Sequence, residues 1–238
     1  MRDAPVLEVN DGCRPCTLRK SCFLCQMPAE AVRELAIARS TASHPIHTIL
    51  FLENQLPRGI FVLCDGEIKL SISSKGGKTL ILRIAKAGEI LGLMAVLSGR
   101  PYEMTAEAIS PCRVAFIRRE DFVRFVNAHA EATQAIVKQL SSNYKAMCEQ
   151  LRTVALAPSA PAKLARLLLE WDARVAQTNH PGGARLALTH EEIAEFIGAS
   201  RETVTRTLNE FKNRKFIIIK ESTLVISNRP ALEALVAA

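Results

Sequence analysis

Residues 188–211 restrict this chain more than any other stretch. Thr189 followed by Glu192 is a capping box, in which each side chain satisfies a backbone N–H that a helix start leaves open. Ile193, Ala194 and Ile197 recur on one face of that helix. Ala194 is small where a second helix must come close, and Gly198 supplies the positive-φ residue for the turn. Ser200 caps a second helix whose inward face is Val204, Leu208 and Phe211. The spacing of small, glycine and apolar residues at 194, 198 and 204 is what a tight helix-turn-helix crossing requires. Residues 216–219 and 224–226, around Glu221 and Ser222, read as a hairpin wing beside it.

The chain has 238 residues, of which 48% are hydrophobic, enough for two domains with cores of their own. Its formal net charge of +7 favours a polyanionic partner such as nucleic acid. Residues 1–8 hold no apolar stretch of signal-peptide length, and no run reaches a membrane span. The expectation is a cytoplasmic protein with no membrane partner.

Upstream of the helix pair the pattern changes twice. A helix is expected over 28–38, with Pro28 suited to its first turn. Short apolar strands follow at 48–52, 60–63, 68–72, 80–84 and 113–117, broken by Gly66, Gly76, Gly77 and Gly88. Regular short strands of this kind suggest a jelly-roll or barrel. After Glu120 the period becomes helical, and Val137, Leu140, Tyr144, Met147, Leu151 and Val154 are spaced 3, 4, 3, 4, 3. That heptad stripe packs either on its own domain or on a partner helix. A helix of about 25 residues outruns a small barrel, which favours a homodimer seam. Pro158 and Pro161 then stop the helix and mark a hinge. Leu164, Leu167, Leu168, Trp171 and Val175 begin a second, smaller core. The fold class is α+β, with a cysteine-rich segment at 1–28, a β-roll at 29–120, a dimerisation helix at 121–157 and a winged helix-turn-helix at 158–238.

With the inward face buried, Arg201, Glu202, Thr205 and Arg206 point outward from the first turns of the second helix. Side chains placed there reach base edges in a major groove. Arginine can make two hydrogen bonds to guanine O6 and N7, and glutamate can accept one from cytosine N4. Ser200 joins this candidate DNA-binding set at the cap. Lys212, with Arg214 and Lys215, lies further along, where phosphates are contacted.

Seven cysteines occur in a chain with no export signal, so grouped thiols are read as metal or redox sites before disulfides. Cys13, Cys16, Cys22 and Cys25 fall within thirteen residues. Four thiols so close can wrap a soft ion or an iron–sulfur cluster. Structural zinc also suits two C-x2-C pairs, although five residues between them is short. Arg14, Arg19 and Lys20 lie nearby and would offset a cluster's negative charge. Cys64, Cys148 and, on its own, Cys112 read as packing residues.

Residues 200–206 resemble the recognition helix of the Crp/Fnr family of bacterial regulators, with Glu202 and Arg206 at matching positions. Residues 62–70 and 87–92 resemble that family's β-roll. The resemblance spans nearly the whole chain in the order β-roll, long helix, hinge, winged helix. It implies a cyclic-nucleotide-binding-like β-roll and a homodimer on double-stranded promoter DNA. It also implies action on RNA polymerase and no enzymatic activity. Leu93 and the pair Met104 and Thr105 stand where cyclic-AMP-type members carry a Glu and an Arg-Ser pair. The cyclic phosphate would lack a cationic partner there, which argues against cyclic AMP. Oxygen-sensing members use C-x2-C-x5-C and one Cys near the end of the β-roll. Cys13, Cys16, Cys22 and Cys112 match, which implies a 4Fe–4S cluster on those four, with Cys25 as an alternative ligand. Cluster occupancy would then bias packing along residues 137–154, dimerisation and operator binding. The alternative is a small-ligand-responsive regulator with zinc or redox thiols in the N-terminal segment. A thiol-redox enzyme lacks a thioredoxin-like βαβ setting, and Arg201 and Arg206 argue against a mere scaffolding dimer.

Overall fold

The structure, a computed structural model, describes residues 27, 29–177, 184–185, 188–220 and 223–237. Its N-terminal half is built on two antiparallel four-stranded sheets. One holds β1 (Arg39–His44), β8 (Cys112–Arg118), β3 (Gly59–Asp65) and β6 (Ile90–Leu91) in that order. The other holds β2 (Ile49–Phe51), β7 (Thr105–Ala108), β4 (Glu67–Ser73) and β5 (Thr79–Lys86). Four of the five expected strands fall within these, and the fifth, 48–52, overruns β2 by one residue at each end. β1 was not expected because its outward polar residues show no apolar alternation.

Alternation on the first sheet creates two cores. Leu63, Leu91, Cys112 and Val114 point between the sheets, where they meet Phe51, Ile68, Leu70, Tyr102 and Ala106. Ile60, Val62, Ala115 and Ile117 point the other way, onto a layer of helices. That layer comprises α1 (Ala29–Ala38), α3 (Arg119–Ala128) and the start of α4 (Ala130–Leu156). Ala31, Leu35, Phe122, Phe125, Ala132 and Ile136 are their buried contributions, together with Met27. A short α2 (Leu93–Ser98) connects β6 to β7.

The expected helical segment 121–157 is therefore two helices. His129, in extended conformation at φ −124 and ψ 101, separates them. Phe122 and Phe125 hold α3 on the sheet, and the 27-residue α4 begins there at Ala132 and Ile136 before leaving it. Its exposed side carries Val137, Tyr144, Met147 and Leu151, with Tyr144 72% and Leu151 66% exposed. The other two residues of the expected seam face their own chain. Leu140 packs against the helix-layer core, and Val154 lies beside Gly198. At those two positions the chain itself covers one edge of the stripe.

After Ala157 the chain turns into α5 (Ala160–Gln177), followed by β9 (Ala184–Arg185), α6 (His190–Ile197), α7 (Arg201–Asn213), β10 (Ile217–Lys220), β11 (Thr223–Ile226) and α8 (Arg229–Ala237). The three strands form the wing sheet in the order β10-β11-β9. Leu164, Leu168, Ile193, Ile197, Val204, Leu208, Phe211 and Leu232 fill the core beneath. This core is not separate from the β-roll. Ile81 of β5 and Ile109, just after β7, are buried in it, because α6 lies against β5. Among the described residues, no helix is long and apolar enough to cross a membrane.

Candidate nucleic-acid interface

Both caps read from the sequence form. The Thr189 hydroxyl accepts the Glu192 N–H at 3.2 Å, and the Glu192 carboxylate accepts the Thr189 N–H at 2.9 Å. Each such cap is worth about 1 kcal/mol. Gly198 ends α6 at φ 64, a left-handed conformation that suits glycine. A Cβ there would also come within 3.2 Å of Val154. The Ala199 N–H closes the turn on the Ala194 carbonyl at 3.0 Å. Those local rules fix α7 against α6 and turn its polar face outward.

That face is an open groove of about 720 Å³ lined by Arg201, Glu202, Thr205, Arg206, Asn209, Glu210, Asn213 and Arg214. Arg201, Glu202 and Arg206 are exposed, and Thr205 is half-buried. The Thr205 hydroxyl lies 2.9 Å from Nδ1 of His190, across the helix pair. Its own backbone N–H, the Ser200 hydroxyl and Arg201 hold the Glu202 carboxyl below the usual carboxylate range. Glu202 therefore stays an anionic acceptor. Ser200 is committed to the helix, since its hydroxyl accepts the Thr203 N–H at 3.2 Å and meets Thr203 Oγ1 at 3.1 Å. Lys212 is exposed in the last turn. Arg214 is fastened by Glu210 at 3.2 Å and by the Phe216 ring at 4.5 Å. Asn209 and Asn213 were missed in the sequence reading. They follow Thr205 at steps of four, so the helical period would have found them.

The β-roll contains a second feature that the sequence reading missed. A small cavity is lined by Phe51, Leu70, Arg83, Leu93, Met104 and Asn143, among others, and so touches α4. A cation therefore lines it, contrary to expectation. The Arg83 guanidinium pairs with Glu89, while its Nε is buried with no partner. A bulge in the β4–β5 pairing, opposite Leu70 and Ser71, breaks the alternation that would have revealed it.

Cys112, the expected fourth cluster ligand, is 4% exposed between the two sheets. Burial pushes its thiol pKa up, and Asp65 pushes it further. A metal-binding sulfur must be a thiolate, so a ligand role for Cys112 would require loss of this proton on binding. Met27, two residues beyond Cys25, packs on the opposite face of the same sheet, as does Cys64. Cys13, Cys16, Cys22 and Cys25 lie outside the described residues.

A β-roll, a long helix with an exposed apolar stripe and a winged helix-turn-helix with an open basic face define a DNA-binding regulator. Residues 43–129 match the family described as a cyclic nucleotide-binding domain, and residues 162–235 match the Crp-like helix-turn-helix domain. The chain belongs to the Crp/Fnr family of transcription regulators. It is 24% identical over 188 residues to the CRP-like cAMP-activated global transcriptional regulator of Mycobacterium tuberculosis (strain ATCC 25618 / H37Rv), covering 78% of this chain and 83% of that protein. Its fold matches FixK2 from Bradyrhizobium japonicum with a TM-score of 0.73 at 19% identity, over 84% of this chain and 98% of that one. The c-di-GMP-responsive global regulator CLP of Xanthomonas campestris gives the same score and identity, over 84% and 99%.

Proposed function

We propose that this chain is a homodimeric regulator that reads a two-fold symmetric promoter site with α7, acts on RNA polymerase and takes its signal from the N-terminal cysteines. The observation that carries the DNA reading is the outward groove of Arg201, Glu202, Thr205 and Arg206 on a doubly capped helix pair. The exposed stripe of Val137, Tyr144, Met147 and Leu151 supports the dimer, because apolar surface of that extent on a long helix is ordinarily covered. Lys212 supplies a phosphate contact, and Ser200 holds the helix end.

The signal group is a 4Fe–4S cluster, whose chemistry makes it sensitive to oxygen. Four thiolates are the donor set such a cluster takes. Cys13, Cys16, Cys22 and Cys112 are the set, with Cys25 as the alternative fourth ligand. Selection from random duplexes, then binding by the anaerobic protein before and after air, tests the reading. Iron and sulfide should be present in wild type and in Cys25→Ala, and lost in Cys112→Ala; the reverse pattern would make Cys25 the fourth ligand. Zinc alone in an anaerobic preparation overturns the cluster and leaves the DNA reading standing.

Arg83 favours a second reading, in which the β-roll cavity takes a small anionic ligand beside α4. The M. tuberculosis relative is named for cAMP activation. Here Leu93 and Met104 line the cavity, and Glu89 already pairs the one arginine. Calorimetric titration with cyclic AMP should give no heat of binding, and a saturable signal would establish the cyclic nucleotide instead.

A further inference from the structure

We infer that Gln150 and Lys69 are positioning residues for DNA reading, because together they hold both ends of α6 and so fix the direction of α7 against the dimer helix. The inference rests on α7 being the DNA-reading element. At the N-terminal end, Glu192 caps α6 with Oε2 and presents Oε1 to Lys69 Nζ at 3.4 Å. Lys69 stands on β4 and also pairs with Glu107 of β7 at 3.3 Å. Both partners of the interdomain pair are almost wholly buried. At the other end, the Gln150 side-chain amide of α4 donates to two carbonyls. One is Ile81 O of β5 at 2.9 Å, and the other is Phe196 O in the last turn of α6 at 2.6 Å. That last-turn carbonyl has no partner within its own helix, so Gln150 satisfies a group that would otherwise be orphaned.

The apolar part of the contact cannot set an angle by itself. Ile81 and Ile109 bury surface against the DNA-binding domain, and such burial is non-directional. Between α4 and α5 the chain offers only Ala157, Pro158 and Ser159 as covalent restraint. Hydrogen bonds at the two ends of an eight-residue helix remove its freedom to roll or swing. The orientation of α6 is also that of α7, through the closed turn from Ala194 to Ala199 and the His190–Thr205 contact. Gln150 stands on the same helix as Tyr144 and Leu151. The recognition helix therefore inherits its angle from the helix that carries the dimer stripe, and two such helices keep a fixed separation.

The test uses the full-length protein and the duplex selected by wild type. Half-site separation is varied by single base pairs, and a duplex with one half-site is included. Wild type should prefer one separation by roughly tenfold or more. Gln150→Leu and Lys69→Met should flatten that preference while leaving single half-site affinity unchanged, and Lys69→Arg should restore it. Without DNA, hydrogen exchange at the α6 amides should rise in the Leu and Met variants and not in the Arg variant. Retained spacing preference overturns the inference. So does a uniform loss of affinity at every duplex with lowered Tm, which marks a merely structural role. If wild type binds no duplex, the DNA reading fails. Unchanged α6 exchange would separately overturn the clasp.

Discussion

His190, at the first position of α6, holds its Nδ1 2.9 Å from the hydroxyl of Thr205 on the outer face of α7. Thr205 is the one short side chain among the four that the sequence assigns to base reading, and this contact selects its rotamer. Removing either partner should weaken operator binding by about 0.5–1.5 kcal/mol, the net worth of one hydrogen bond. His190→Ala and Thr205→Val should each have that effect in fluorescence anisotropy, and the double variant should add little to either. Strictly additive losses would mean that the two residues act independently.

Arg206 and Lys212 separate base reading from phosphate contact on the same helix. Arg206→Ala should cost about 1–3 kcal/mol at the preferred duplex and relax the choice of base at one position. Lys212→Ala should weaken all duplexes alike and lower the slope of log affinity against log salt by about one. A sequence-independent loss in the Arg206 variant would move that residue to the backbone.

Tyr144 and Leu151 are the most exposed members of the α4 stripe. A buried leucine contributes about 1.5–3 kcal/mol, and placing a carboxylate in an apolar seam removes that and adds desolvation. Leu151→Glu should sediment as a monomer at concentrations where wild type is a dimer, with unchanged far-ultraviolet circular dichroism. A dimer that survives both Leu151→Glu and Tyr144→Lys would place the subunit contact elsewhere.

The legible parts of this chain are those governed by local rules. Thr189, Glu192, Gly198 and Ser200 act within four residues of themselves, and all four behave as read. Strand positions followed from runs of apolar residues between glycines. What stayed hidden depends on how distant pieces meet. Lys69 and Glu192 are 123 positions apart, and neither residue type announces a partner. Heptad spacing showed which α4 residues share a stripe, but not that the chain itself covers Leu140 and Val154. The side of the sheet on which Cys112 lies turns on a single-residue register, where a slip of one reverses every face.

Cys112 offers a direct check on that register. Its thiol is enclosed by the sandwich core and pushed up by burial and by Asp65, so little thiolate is present at neutral pH. Iodoacetamide should leave Cys112 unmodified in the folded protein and alkylate it in denaturant, read by peptide mass spectrometry. Rapid native labelling would show that the strand presents the opposite face.

Glu195, on α6, supplies a pH test of the contact between the domains. Its Oε2 is buried with no hydrogen-bond partner. Burial raises its pKa above the ordinary 4.5; Lys69 opposes this, while Glu191, Glu192 and Glu107 add to it. A carboxyl raised in the folded state binds its proton more tightly there than in the unfolded chain. Its contribution is therefore most favourable below the ordinary value and is lost as pH rises through the folded one. Lys69 does not confuse the result. Burial works against its ammonium, but Glu107 and Glu192 outweigh this and raise its pKa, so it stays charged across the acidic and neutral range. At neutral pH the docked helix carries the full penalty of the Glu195 charge. Glu195→Gln should raise Tm there by a few degrees, and the gain should shrink as the pH falls and the wild-type carboxyl takes up its proton. A gain of equal size at neutral and acidic pH would mean that shape, not charge, separates the two side chains.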